Sequence, residues 1–236
     1  RHFRGVDLEV RSGEIVGLGG LLGSGREELV GAIYGLHRVT EGRLRLEGKP
    51  VRIASAASAV NRGIVLVPRD RRNDGLVVDM TVADNINLAS FEEVTTGLIV
   101  NRRAAARRAA ELAERLDIRP RNVDAVTRNL SGGNQQKVVL ARWLATASRL
   151  FLLDEPTVGV DIGARAEIYR LIEKLAADGA AVLISSSDAA ELLGLCDRVV
   201  VLLRGAVAAD VAASALSLDR LIALTTGGET AKEPRR

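Results

Sequence analysis

Residues 130–161, LSGGNQQKVVLARWLATASRLFLLDEPTVGVD, hold three pieces whose order decides the fold. Ser131, Gly132 and Gly133 precede a helical run in which Val138, Val139, Leu140, Trp143 and Leu144 fall on one broad face. The start of such a helix offers backbone N–H groups and the positive end of its dipole, and two glycines let a phosphate come close. Residues 150–153, LFLL, are too few for a lone helix and read as a buried parallel strand. Asp154 and Glu155 then emerge at the carboxyl edge of that strand, where open α/β sheets place their ligands. One carboxylate can hold Mg²⁺ and the next can polarise a water.

Each piece alone is common, but their order and spacing are not. The stretch resembles the signature motif, Walker B motif and D-loop of ATP-binding-cassette (ABC) ATPases. The form LSGGNQQK followed by DEPTVGVD looks most like the tandem ATPase subunits of bacterial monosaccharide importers of the ribose, galactose and xylose type. The resemblance runs from residue 13 to about residue 224. It implies an α/β fold, a P-loop NTPase whose ABC ATPase core has a mixed sheet, with a small helical subdomain at about 78–145. That places a nucleotide-binding domain at 1–225 and a polar, disordered tail at 226–236.

Earlier in the chain, residues 20–25 keep the frame G-x-x-x-x-G between an expected strand at 14–18 and an apolar-periodic helix at 29–34. Gly20, Gly23, Ser24 and Gly25 are the phosphate-cradling candidates, with Arg26, Glu27 and Glu28 next in line. A P-loop wants Lys and then Ser or Thr. In the resembled subunits the second P-loop commonly has Arg, so Arg26 fits and Glu27 departs. The resemblance puts a Mg²⁺-ligating hydroxyl at position 27. A carboxylate there adds a repulsion of order 3 kcal/mol toward a triphosphate at ~5 Å and an effective dielectric of ~20.

Two further positions depart from the resembled pattern. Residues 68–76, PRDRRNDGL, fall where the family has its Q-loop, and Arg69 occupies the Gln or Glu position. Arg69 either points at water or pairs with Glu27, a guanidinium taking the place of the metal's charge. Ser187 stands where active cassettes carry a His that touches the γ-phosphate. A serine there can donate a hydrogen bond or cap the following helix, but it carries no imidazolium charge. By the same resemblance Ser131, Gly132, Gly133, Gln135 and Asp161 face a nucleotide, Asp154 serves Mg²⁺, and Glu155 is the catalytic base.

Composition sets outer bounds. A chain of 236 residues with 47% hydrophobic and 3% aromatic content can bury a full aliphatic core. No apolar run approaches the roughly 18 residues of a membrane span. A single Cys196 rules out an internal disulfide and suits a reducing cytoplasm. With 33 basic against 30 acidic residues, the net charge of +3 is an arginine-rich surface and no nucleic-acid footprint. The start, RHFRGVDLEV, lacks Met and a signal pattern; together with the resemblance to tandem subunits this implies a fragment, the C-terminal half of a longer subunit. There is no internal repeat.

Along the chain, Val6, Leu8 and Val10 alternate as in an edge strand, and 43–53 reads as short strands around a turn at 48–50. A small helix is expected at 54–61, a buried strand at 64–67 and a helix at 81–88. Residues 101–116 form an amphipathic helix with a thin stripe of Ala105, Ala109, Leu112 and Leu116. Glu111 and Glu114 interleave with its arginines, which makes that face a solvated one. Downstream come a helix at 162–177, a strand at 180–184, a helix at 188–193, a hairpin at 197–210 and a last helix at 216–224. His2 and His37 read as surface residues.

In the resembled family two cassettes face each other head to tail, and each ATP lies between one P-loop and the other cassette's signature motif. The expected partners are therefore ATP or ADP with Mg²⁺, a companion nucleotide-binding domain and transmembrane permease subunits. The permease would hold the chain at the cytoplasmic face of the plasma membrane. At the site on its own P-loop, Arg26, Glu27, Arg69 and Ser187 stand in place of the Lys, Ser or Thr, Gln and His of active cassettes; set against an intact signature, they predict a cassette that turns over slowly by itself and completes its companion's site. The competing expectations are a non-hydrolysing regulatory module and a ribosome- or DNA-associated ATPase of the same superfamily.

Overall fold

The computed structural model describes residues 3–96 and 99–228. In chain order the elements are β1 (Ile15–Gly19), α1 (Arg26–Tyr34), β2 (Leu44–Leu46), β3 (Lys49–Val51), α2 (Ala56–Val60), β4 (Ile64–Val67), α3 (Val82–Asn87), β5 (Thr95–Thr96) and β6 (Ile99–Val100). Then follow α4 (Arg102–Arg115), α5 (Gly132–Leu144), β7 (Leu150–Asp154), α6 (Ile162–Ala177), β8 (Ala181–Ser186), α7 (Ala189–Leu195), β9 (Arg198–Leu203), β10 (Ala206–Ala212) and α8 (Leu218–Thr226). They fall into two compact units, one of residues 1–66, 149–155 and 173–236 and the other of residues 67–148 and 156–172.

The first unit is built on a six-stranded mixed sheet in the order β10-β9-β1-β8-β7-β4. β1 runs parallel to β8 and β9, β7 runs parallel to β8, and the β9–β10 hairpin is antiparallel. Successive side chains of a strand alternate between its two faces. Val16 and Leu18 of β1 therefore join Leu29, Val30 and Tyr34 of α1, Ile64, Leu152, Leu183, Val200 and Leu202 in one core. Burying each such side chain contributes roughly 1.5–3 kcal/mol. Gly17 points the other way, where a Cβ would stand 2.9 Å from both Cys196 Sγ and Leu192 Cδ2. The missing side chain lets α7 lie against β1. Burial among these groups pushes the Cys196 thiol well above its ordinary range.

The parallel register makes β1, β8 and β7 finish level. Gly19 is opposite Ser186 and Asp154 is opposite Ser185. The loop after β1, the serines ending β8 and the carboxylates ending β7 are thereby gathered at one sheet edge, as parallel α/β sheets do with their ligand sites.

The second unit is mainly helical. α3 packs against α4 and α5, and the buried Val82, Ile86, Ala109, Ala113, Leu116, Val138, Val139 and Leu140 supply its apolar interior. Thr81 and Asn101 cap α3 and α4 by accepting from the backbone N–H of Asp84 and Ala104. Arg142 donates from Nε to the Asn85 carbonyl at 2.8 Å and from Nη2 to Asn85 Oδ1 at 2.9 Å.

Two expectations fail locally. Residues 6–10 form no strand, although Val6, Leu8 and Val10 do pack on the core of the first unit. Alternation alone puts one face inward without requiring a ladder, and the Glu9 carbonyl accepts from the Arg198 guanidinium. Residues 71–75 form a π-helical turn where a plain loop is expected, because Asp70 caps it by accepting from the Arg72 and Asn73 backbone N–H groups. His2 and residues 229–236 of the expected tail lie outside the described residues, while Thr226 ends α8 and Gly227 caps it.

Candidate functional site

The loop between β1 and α1 is curled. Ser24 N–H donates to the Leu21 carbonyl at 3.0 Å, and the Gly205 N–H of the β9–β10 turn donates to the Ser24 carbonyl at 2.8 Å. Gly23 and Gly25 take φ of 78° and 101°, a region that a residue with a side chain adopts only with strain. A Cβ on Gly20 would come 2.7 Å from the Leu202 carbonyl, so the loop is also pressed onto β9. The first turn of α1 leaves its N–H groups without intrahelical partners. Ser24 Oγ is buried and has no hydrogen-bond partner among the described residues. By shape and donors the loop fits a phosphate.

Its charges oppose one. The Arg26 side chain turns inward and is 1% exposed. Its Nε donates to the Gly20 carbonyl at 3.1 Å, Nη1 to Ser185 Oγ at 2.6 Å and Nη2 to Glu155 Oε1 at 2.6 Å. Asp154 Oδ1 lies 3.8 Å from Nη1, and Glu27 Oε1 lies 3.7 Å from Nη2. One guanidinium therefore faces the carboxylates of Glu27, Asp154 and Glu155. Glu28, the other acidic residue of the first turn, is half-buried beside them in sequence.

Glu155 is 4% exposed and held in a left-handed conformation at φ 48°. Its N–H donates to the Ser185 carbonyl at 2.8 Å. Its Oε1 accepts from both Arg26 and the Ser187 backbone N–H, the latter at 3.0 Å, so the expected base is enclosed. Ser187 contributes its backbone here and its side chain is exposed, while Asp188 is the residue that caps α7. Burial pushes the Asp154 carboxyl above its usual range. The Ser185 hydroxyl and Arg26 pull it down, and Glu27 and Glu155 push it up again.

The expectation that Asp154 holds Mg²⁺ does not fit this arrangement. Asp154 Oδ1 is buried without a hydrogen-bond partner among the described residues, which by itself suits a cation. The Arg26 guanidinium nevertheless stands beside it, and position 27 offers a carboxylate in place of a hydroxyl. Glu27 has Arg26 as a neighbouring cation at 3.7 Å, and Arg69 is exposed.

The second unit carries the signature residues. Ser131 caps α5, and its Oγ accepts from Asn134 Nδ2 at 2.9 Å. Gly132 and Gly133 are glycines for reasons internal to this unit. A Cβ at 132 would stand 2.7 Å from both Arg71 Nη2 and the Gly159 carbonyl, and one at 133 would stand 2.5 Å from Ala164 Cβ. Gln135 is fully buried; its Nε2 donates to the Thr127 carbonyl at 3.2 Å and its Oε1 accepts from Arg72 Nε at 3.3 Å. That position makes it a brace for the signature helix, where a nucleotide contact was expected. Asp161 is exposed and its Oδ1 accepts from the Ala164 N–H at 2.9 Å.

Sequence reasoning misses two residues. Ser185 holds Arg26 in place; the run of hydroxyls at 185–187 after an apolar strand is its only trace. Arg71 grips the turn at 158–159, yet nothing in the run RDRR sets it apart from its neighbours.

A parallel-stranded sheet with a curled glycine loop after β1 and an acidic end to β7 defines a P-loop nucleotide-binding cassette. The family model described as ABC transporter matches residues 3–158, and the chain belongs to that family. It is 48% identical over 237 residues to the ribose import ATP-binding protein RbsA of Pseudomonas putida, covering 100% of this chain and 46% of the relative. The arabinose import ATP-binding protein AraG of Pectobacterium atrosepticum is 44% identical over 207 residues, 87% of this chain and 41% of its own length. The chain spans about half the length of the curated relatives it matches.

Among solved structures, a dimeric ATP-binding cassette in a post-hydrolysis state bound to ADP and Pi superposes with a TM-score of 0.75 at 25% identity, covering 90% of each chain. An ATP-binding cassette of an ABC transporter in its ADP conformation gives 0.77 at 23% identity, covering 98% of this chain and 91% of the other, and supports the fold. No helix among the described residues is long and apolar enough to cross a membrane.

Proposed function

We propose that the chain is the second, C-terminal nucleotide-binding cassette of an importer for a ribose-class monosaccharide. In this reading it sits at the cytoplasmic face of the membrane through permease subunits and pairs with a companion cassette. Its own P-loop is shut, and its signature residues Ser131, Gly132 and Gly133 complete the companion's ATP site. The observation that carries the reading is the buried ion pair of Arg26 with Glu155 at 2.6 Å.

ATP, when bound between cassettes, supplies the phosphoryl chemistry and the energy of closure. At the first unit, this chain's residues withhold the chemistry. Arg26 spends its donors on Gly20, Ser185 and Glu155, so it cannot reach out to a phosphate while those bonds persist. Glu155 has its Oε1 filled by Arg26 and the Ser187 N–H, so it cannot take a proton from an attacking water at that oxygen. Glu27 repels the anion that the loop would otherwise receive. The signature helix has no such obstruction, and its dipole and N–H groups remain suited to a phosphate held by another chain.

Turnover by the chain alone, compared with turnover by the full-length tandem subunit in its assembled importer, tests the proposal. The expected result is negligible hydrolysis by the chain alone and, in the importer, loss of turnover on Ser131→Arg. Rapid hydrolysis by the isolated chain would overturn it.

A further inference from the structure

The D-loop at 156–161 and the signature helix tip are tied together by one side chain from a third segment. Arg71, the first residue of the π-helical turn after β4, donates from Nη1 to the Val158 carbonyl at 2.6 Å and from Nη2 to the Gly159 carbonyl at 2.9 Å. The same guanidinium abuts the tip of α5 closely enough that a Cβ on Gly132 would lie 2.7 Å from Nη2. Gly159 itself takes φ 67°, a left-handed turn that aims two successive carbonyls at one guanidinium. The flat fork of an arginine matches that pair of acceptors as a lysine's single ammonium cannot.

The base of the arginine is fixed as well. Asp70 accepts from the Arg72 and Asn73 backbone N–H groups at 3.1 Å each and from Asn73 Nδ2 at 2.7 Å, locking the turn that projects Arg71. Arg72 reaches Gln135 within α5 from the neighbouring position. Asp70 is held below the usual carboxylate range by the Asn73 hydrogen bonds first, so it stays charged through the physiological range. The turn, the D-loop and the signature tip are thus one braced assembly within the second unit.

We infer that Arg71 is the positioning residue of the signature face. It fixes the D-loop carbonyls and the Ser131–Gly133 tip in a single preorganised geometry, and it acts on a nucleotide only through them. This rests on the proposed reading that the signature tip completes a companion's ATP site. Preorganisation of this kind matters because a misplacement of about 1 Å in a positioned contact costs up to roughly 100-fold in rate.

The test uses the full-length subunit in its assembled importer, with Arg71→Ala, Arg71→Lys and, as a control on the underlying reading, Ser131→Arg. Arg71→Ala is expected to lower kcat on the order of 10- to 100-fold while leaving ATP affinity of the resting, open transporter and thermal stability unchanged. Arg71→Lys is expected to restore only part of the loss, and added guanidinium ion at millimolar concentration to restore kcat in Arg71→Ala but not in Ser131→Arg. Loss of kcat in step with loss of thermal stability and no rescue by guanidinium would mark Arg71 as merely structural and overturn the inference. So would an unchanged kcat in Arg71→Ala alongside a dead Ser131→Arg. Full turnover in Ser131→Arg would instead remove the reading on which the inference stands. Should Arg71→Ala fail to fold, the Arg71→Lys and Arg71→Gln variants decide the matter by the same split between kcat and affinity.

Discussion

The Arg26 guanidinium donates to the Glu155 carboxylate across 2.6 Å, and the two side chains are 1% and 3% exposed. A buried pair of this kind is weak evidence of net stabilisation, because taking both charges out of water offsets most of their attraction. Breaking it from one side is another matter. Arg26→Ala leaves Glu155 buried with only the Ser187 N–H and a long contact from Ser186, and is expected to destabilise the chain by about 3–5 kcal/mol. Urea unfolding measures this, and a loss under about 1 kcal/mol would show that water reaches Glu155 readily. The double variant Arg26→Met with Glu155→Gln should recover most of the loss, since it removes both charges together.

In the proposed reading, the carboxylate of Glu27 is the removable part of the obstruction at the P-loop. Glu27→Ser takes away one negative charge near the expected phosphate and restores a hydroxyl. The gain in ATP affinity is expected to reach up to about 3 kcal/mol, roughly 100-fold, for charges ~5 Å apart at an effective dielectric of ~20. Calorimetric titration of ATP with and without Mg²⁺ checks it. An affinity that does not move would show that the inward Arg26, and not the charge at 27, excludes the nucleotide.

Asp154 supplies a pH test whose sign follows from its raised pKa. A carboxyl raised in the folded state, chiefly by burial, binds its proton more tightly there than in the unfolded chain, where the value is near 3.8. Its contribution to stability therefore falls as pH rises from that value through the raised one, and the charged form is disfavoured at neutral pH. Asp154→Asn is expected to make the chain more stable at neutral pH and to flatten the decline, with little change at acid pH. Urea midpoints followed from about pH 3 to about pH 8 decide it, and a variant less stable than the parent at neutral pH would show that Arg26 depends on the Asp154 charge.

Much of the fold was legible because its signals are local. Apolar strands such as β7 and β8, the glycine loop after β1 and the amphipathic helix at 101–116 each declare themselves over a few residues. The carboxyl-edge position of Asp154 and Glu155 followed from strand type alone. What stayed hidden depends on register. Ser185 becomes a partner of Arg26 only because β8 lies between β1 and β7, and no spacing along the chain states that order. Arg71 is hidden for the same reason, since its acceptors are carbonyls and carry no sequence identity at all. The two glycines of the signature were legible as special, but the proximity to phosphate offered as their reason was incomplete. Gly132 and Gly133 are required first by their own neighbours.

That claim about Gly133 can be tested directly. A Cβ there would stand 2.5 Å from Ala164 Cβ, well inside contact distance, so Gly133→Ala must push α5 and the start of α6 apart. Overpacking of this kind costs typically 1–3 kcal/mol. Against it stands the better helix propensity of alanine, worth up to about 1 kcal/mol, so the net loss expected is about 1–2 kcal/mol. Ala164→Gly opens the space that the added methyl needs. The double variant Gly133→Ala with Ala164→Gly should therefore be more stable than the sum of the two single changes by at least about 1 kcal/mol, a coupling that a thermodynamic cycle in urea reads. If the two changes simply add, the methyl is tolerated by a shift elsewhere, and the glycine at 133 must be explained by what approaches the helix tip from outside the chain.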